Sequence, residues 1–107
     1  MEPIPRRAKN YRTAAGKSPF REWLQQRVTE VRNRVNIRIR RIEELGSYGD
    51  FKLVGNGVFE LRFDFGPGYR VYFGIDGEEI ILLGGGDKNT QPRDIKRCQE
   101  FWEDYNA

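Results

Sequence analysis

The sequence predicts an α+β domain: two N-terminal helices packed on a twisted, mostly antiparallel sheet of four to five strands, with a C-terminal helix. Three observations predict it. Apolar residues recur at helical spacing up to Gly46. Beyond Gly46 the period becomes two, in short runs divided by glycine turns. Helical spacing then returns near Pro92. At 107 residues the chain is the size of one domain, taken here as residues 1–107, with a real but thin core. Its 14 aromatic residues (7 Phe, 5 Tyr and 2 Trp) supply much of what can be buried, which argues for a folded chain.

Residues 1–17 read as an extended or loosely ordered lead-in whose clear anchor is Tyr11. Ser18-Pro19 opens a short helix to about Gln26, with Ser18 as N-cap and Pro19 at the first helical position. Phe20, Trp23 and Leu24 form its apolar side. A second helix spans about Thr29 to Leu45 and stops at Gly46. Val28, Val31, Val35, Ile39 and Ile42 make its apolar stripe, and Arg27, Arg34, Arg38 and Arg41 run beside it. Ile37 lies off the stripe, which predicts exposure and a possible partner contact.

Phe51–Val54 is a short strand, and Gly55-Asn56-Gly57 turns the chain. Residues 58–65 and 69–75 alternate as two more strands across the turn Gly66-Pro67-Gly68. Asp76-Gly77 is a hairpin signal, and Ile80–Leu83 is the last strand. Gly84-Gly85-Gly86 reads as a bend that takes the chain out of the sheet, since neither a dinucleotide-binding glycine pattern nor a phosphate-loop lysine accompanies it. A final helix runs from near Pro92 to about Tyr105, with Ile95, Cys98, Trp102 and Tyr105 on its apolar face. Cys98, Trp23 and Trp102 read as packing residues.

The turns predict a register. A three-residue loop at 66–68 sets Phe65 opposite Tyr69, Asp64 opposite Arg70 and Arg62 opposite Tyr72. A two-residue loop at Asp76-Gly77 sets Tyr72 opposite Ile81 and Arg70 opposite Leu83. Phe63, Val71 and Leu82 then share the core face. A three-residue loop at 55–57 brings Lys52 to the Arg62 face. That face carries Lys52, Glu60, Arg62, Asp64, Arg70 and Tyr72, and Lys88 emerges at the end nearest Arg70. These residue types suit phosphate contacts and base stacking on Tyr72. From pattern alone they better suit a solvated face with ion pairs of Arg70 with Asp64 and Arg62 with Glu60.

Charge points to a polyanionic or acidic partner. Residues 1–45 hold 12 Lys/Arg against 5 Asp/Glu, a balance of +7, whereas the remainder balances at −4. The stripe of Arg27, Arg34, Arg38 and Arg41 suits RNA phosphates, an acidic protein segment, or plain solvation. One cysteine permits no internal disulfide. With no histidine and no cysteine cluster, the sequence offers neither the usual general base nor a metal set, so no metal and no cofactor are expected. The lack of a long apolar run or leader predicts a cytoplasmic chain with no membrane association.

Three ordered motifs resemble one known family. Phe51-Lys52-Leu53-Val54-Gly55 with Gly57-Val58-Phe59-Glu60-Leu61-Arg62 is similar to a stretch of HigB-like addiction-module killer proteins. So are Gly66-Pro67-Gly68-Tyr69-Arg70-Val71-Tyr72-Phe73 and Leu83-Gly84-Gly85-Gly86-Asp87-Lys88-Asn89-Thr90-Gln91 with Asp94-Ile95. Pro19-Phe20 with Trp23-Leu24 resembles their first helix, so the likeness spans residues 18–98.

The resemblance places the chain beside the RelE/ParE toxin superfamily. It implies the toxin half of a type II toxin–antitoxin pair, with a cognate antitoxin, commonly a helix-turn-helix protein, as partner. It further implies an endoribonuclease that cuts mRNA on the ribosome and so inhibits translation. By matching position, Arg70 is the leading phosphate-binding and catalytic residue; Arg62 and Lys88 join it, and Lys52 is a weaker RNA contact. Relatives often place a tyrosine or histidine after the last strand, where this chain reads Lys88-Asn89-Thr90-Gln91-Pro92-Arg93-Asp94. That departure keeps open a ParE-type inhibitor of DNA gyrase without enzymatic activity, and an inactive relative that binds antitoxin or RNA.

Overall fold

The computed structural model describes residues 3–107. Strand β1 (Arg7–Asn10) is followed by helices α1 (Pro19–Gln25) and α2 (Thr29–Leu45). Strands β2 (Phe51–Leu53), β3 (Phe59–Arg62), β4 (Tyr69–Asp76) and β5 (Glu79–Asp87) follow, then helix α3 (Gln91–Tyr105). The five strands form one sheet in the order β1-β5-β4-β3-β2. Among the described residues, only the β1–β5 pairing is parallel. The predicted α+β architecture is therefore the observed one.

Local chemistry sets the helix limits. The Ser18 hydroxyl accepts from the Arg21 backbone N–H, and Pro19 fills the first helical position. The α2 helix ends at Gly46, whose left-handed φ of 66° lets its N–H and that of Ser47 reach the carbonyls of Ile42 and Arg41. Val31, Val35, Ile39 and Ile42 are buried on the sheet, while Ile37 faces outward. Val28 is 68% exposed, because it stands in extended backbone as the N-cap and outside the helical stripe.

The lead-in is better ordered than its composition suggests. Arg7–Asn10 pairs with Glu79–Leu82, and the Ala8 N–H donates to the Glu43 carboxylate at 3.1 Å. Four mostly polar residues give no alternation to detect, so this edge strand is invisible to periodicity.

Both faces of the sheet are covered. Leu61, Phe63, Val71, Phe73, Ile80 and Leu82 pack under α1 and α2. Val58, Tyr72, Ile81, Leu83 and Tyr11 pack with Cys98 of α3. The face expected to lie open is thus a second core over most of its area. The apolar side of α3 was foreseen, but not the surface it covers.

Two registers differ from expectation. The 55–57 turn forms as predicted, with Lys52 opposite Glu60. On β3–β4, however, Arg62 stands opposite Arg70 and Glu60 opposite Tyr72. The loop is longer because Phe65 folds back onto Tyr69, with ring centroids 5.4 Å apart, and onto the Arg34 guanidinium at 4.3 Å. On β4–β5 the turn is Gly77-Glu78, and a bulge lies between Tyr72 and Phe73. Arg70 consequently faces Gly86 instead of Leu83. Gly84-Gly85-Gly86 lie within β5 and do not bend the chain out of the sheet. A Cβ there would meet Cys98, Trp23 or Asp94, so they are the residues that let the helices approach.

Candidate nucleic-acid interface

The site is built at the end of the sheet where β3 turns into β4 and β5 leads into α3. Cross-strand pairing sets Arg62 beside Arg70. The Lys88 N–H donates to the Gly68 carbonyl at 2.9 Å, which fastens the β5–α3 loop against the β3–β4 turn. Arg70, Lys88, Asn89, Asp64 and Phe65 line one cleft there, of about 560 Å³. An adjoining groove, sharing Phe63, Asp64 and Phe65, is lined by Arg34, Ile37, Arg38 and Arg41. The fold thus gathers the separate basic segments of the sequence at one end.

Beneath them is a buried carboxylate. Glu60 is 0% exposed; its Oε1 lies 3.5 Å from Arg70 Nε and 3.6 Å from Arg62 Nε. Its Oε2 accepts from the Gln91 side-chain amide at 2.7 Å. Arg70 is also buried, and its Nη1 donates to the Gly68 and Tyr69 carbonyls, both at 3.0 Å. The predicted Arg62–Glu60 pair forms, but the predicted Arg70–Asp64 pair does not. The longer loop carries Asp64 outward, and Glu60 takes its place.

The other candidates divide. Arg34, Arg41, Lys52 and Lys88 are exposed. Arg38 is committed inward: it donates to the carbonyls of Arg62, Tyr48 and Asp50 and stacks on Phe63 at 4.6 Å. It ties α2 to the strand ends, so its assignment to RNA contact is corrected. Arg27 likewise donates to the Trp23 carbonyl and lies 5.3 Å from its ring. Tyr72 is fully buried under α3, its hydroxyl unpartnered, and cannot stack on a base. Burial, reinforced by Glu60 and Asp94, pushes its pKa strongly upward, so Tyr72 is no general base. Gln91 and Asp94 were missed, because a polar residue in a first helical turn resembles any other until the helix is placed.

A second cleft, of about 380 Å³, lies between α1 and α3 over Gly84–Gly86. There Arg27, Arg93 and Arg97 face Glu22, Asp87 and Asp94, so its charges balance and select no ligand sign. Among the described residues, no group of three His, Cys, Asp or Glu is placed to hold a metal. Among the described residues, no helix is long and apolar enough to cross a membrane.

The second core makes an alkaline prediction. Burial pushes the Cys98 thiol up to about 12 from 9.0. Burial and then the hydrogen bond to Asp104 push Tyr11 to about 12 from 10.0. Both groups hold their protons more tightly when folded. Their contribution to stability is therefore whole below pH 9.0 and is lost as pH rises toward 12. The melting temperature is expected to hold up to pH 9 and fall steeply above it, and a thiol reagent should label Cys98 only as the chain opens. A melting temperature constant up to pH 12 would contradict the assignment.

Comparison with known proteins gives one informative relative. A protein of Haemophilus influenzae (strain ATCC 51907 / DSM 11121 / KW20 / Rd), described only as an uncharacterized protein, is 45% identical over 82 residues. The match covers 75% of this chain and 82% of that one. No protein-family model matches the chain, and no solved structure does. At that identity and coverage, the chain belongs to the same family as the Haemophilus influenzae protein.

Proposed function

We propose that this chain is the toxin of a type II toxin–antitoxin system, a HigB-like member of the RelE/ParE superfamily that cleaves mRNA on the ribosome in the cytoplasm. The observation that carries the reading is the convergence of Arg62, Arg70 and Lys88 at one sheet end, with Arg34 and Arg41 beside it. Cleavage requires the ribose 2′-hydroxyl to attack the adjacent phosphate, its proton passing to solvent water as the P–O2′ bond forms, while the P–O5′ bond breaks and the 5′-oxygen leaves with a proton. The Arg62 and Arg70 guanidiniums stabilise charge on the phosphate in the transition state. The Lys88 ammonium stands at the same cleft to donate a proton. With no histidine in the chain and Tyr72 buried, catalysis rests on electrostatics, positioning and the Lys88 acid. Arg41 and Lys52 extend the basic surface toward flanking phosphates or an acidic antitoxin segment.

The burial of Tyr72 also favours a second reading, in which the basic end is a protein contact and the chain poisons DNA gyrase without enzymatic activity. Expression in a bacterial host decides between them. The first reading expects growth arrest with cleaved mRNA, relieved by the helix-turn-helix antitoxin encoded alongside. The second expects arrest with intact mRNA, and loss of supercoiling by purified gyrase. Growth without a defect sinks both and leaves an inactive binding relative.

A further inference from the structure

We infer that Glu60 and Gln91 are positioning residues that hold Arg62 and Arg70 as one clamp for a single phosphate and set Lys88 in register with it. The inference rests on the reading of this sheet end as the RNA site.

Two arginines directly opposite on neighbouring strands repel each other. Glu60 removes the conflict by placing one oxygen near the Nε of both. The same contact turns both Nε edges toward one point. The Nη1 of Arg70 is spent on two main-chain carbonyls. A guanidinium has five N–H donors in a fixed fork, so the donors left over keep a fixed direction. Arg70 lines the cleft that also holds Lys88.

The carboxylate itself is fixed from the other side. Gln91 is the first residue of α3, and the Lys88–Thr90 loop immediately precedes it. Its amide bond to Glu60 Oε2 therefore ties the Lys88 loop to the arginine pair. One buried carboxylate thus contacts two arginines from two strands and, through Gln91, the helix that follows the Lys88 loop.

The geometry is poor if its purpose is stability alone. Glu60 Oε1 and Arg70 Nε are buried without a hydrogen-bond partner, because 3.5 Å is too long for one. Such unmet groups are costly and uncommon. A shared oxygen that bonds fully to neither arginine suits a pair held open for a third anion.

The test is cleavage of ribosome-bound mRNA by the full-length purified protein, with kcat and KM measured separately. Gln91→Leu is expected to lower kcat about 10-fold at unchanged KM, the scale of one lost charge-assisted hydrogen bond. Gln91→Lys, which keeps a donor there, restores kcat. Glu60→Gln is expected to lower kcat about 100-fold, as misplacement of reacting groups by an ångström does. In the wild type, a short RNA carrying a 2′-deoxy at the cut site shifts the Nε–H resonances of Arg62 and Arg70 together; in Gln91→Leu they respond separately.

Should Glu60→Gln fail to fold, Gln91→Leu decides alone. Wild-type kcat in Gln91→Leu, alongside an Arg70→Lys variant that has lost activity, overturns the inference and spares the RNA reading. A kcat loss that Gln91→Lys does not restore, accompanied by a matching fall in melting temperature, also overturns it, because it marks a purely structural role. A wild-type protein that leaves ribosome-bound mRNA intact sinks the RNA reading itself.

Discussion

Arg70→Ala is expected to lower stability by about 3 kcal/mol, the low end of the cost of breaking a buried ion pair, and, under the proposed function, to cut RNA cleavage by about 100- to 1000-fold. The stability loss comes from the partner left behind. Glu60 is 0% exposed, and without Arg70 it keeps only the Gln91 amide and Arg62, whose side chain is 40% exposed. Arg62 softens the loss, which is why the low end applies. In a domain of this size that is a fall in melting temperature of more than about 10 °C. Loss of cleavage alone is therefore ambiguous, and a second variant separates the causes. Replacing the pair by apolar residues, Arg70→Met with Glu60→Leu, removes the stranded carboxylate and should recover most of the stability. Cleavage should stay down by about 100- to 1000-fold, the usual cost of removing a transition-state donor. A double variant that melts like wild type and still cleaves RNA would show that the guanidinium serves packing only. An Arg70→Ala protein with an unchanged melting temperature would show that Glu60 does not depend on it.

What the sequence made legible follows from what periodicity can and cannot see. The α2 helix announces both its apolar stripe and its stop, because Val31, Val35, Ile39 and Ile42 fall on one face and Gly46 suits the left-handed residue that follows. The hairpins announce which strand residues share a face. They do not announce register, because a slip of two residues preserves every face. Phe65 made such a slip by folding onto Tyr69 and Arg34, and it replaced Asp64 with Glu60 as the partner of Arg70. An amphipathic helix, in turn, signals that it packs without signalling where. Tyr72 therefore read as an exposed base-stacking platform until α3 was placed over it. The basic members of the site were legible because Arg62, Arg70 and Lys88 sit in turn-flanking positions that the topology keeps together. Gln91 was not, since its role exists only once α3 docks and brings it to Glu60.

Gly85→Val is expected to cost more than any change at an exposed position, by detaching α1 from the sheet. Gly85 stands opposite Val71 in β5, and a Cβ there would overlap the six-membered ring of Trp23. The ring has little room to retreat. It lies 6.3 Å from Phe20 and 6.2 Å from Tyr69, with the Arg27 guanidinium 5.3 Å away. The Arg27 Nε also donates to the Trp23 carbonyl, so moving the ring strains the helix end as well. Gly85→Ala should cost about 1–3 kcal/mol by overpacking, and Gly85→Val more, since it adds two methyl groups at the same point. Because α1 has only seven residues, the relief is local unfolding of the helix and not a small shift of its axis. Amide exchange in residues 19–25 should accelerate before that in β4 or α2 does. Adding Trp23→Ala to Gly85→Ala should cost less than the sum of the two single changes, because the second removes the obstacle that the first meets. Strict additivity would place the strain elsewhere. In the fraction that remains folded, the proposed RNA cleavage should persist, because the Glu60–Arg62–Arg70 cluster touches neither residue.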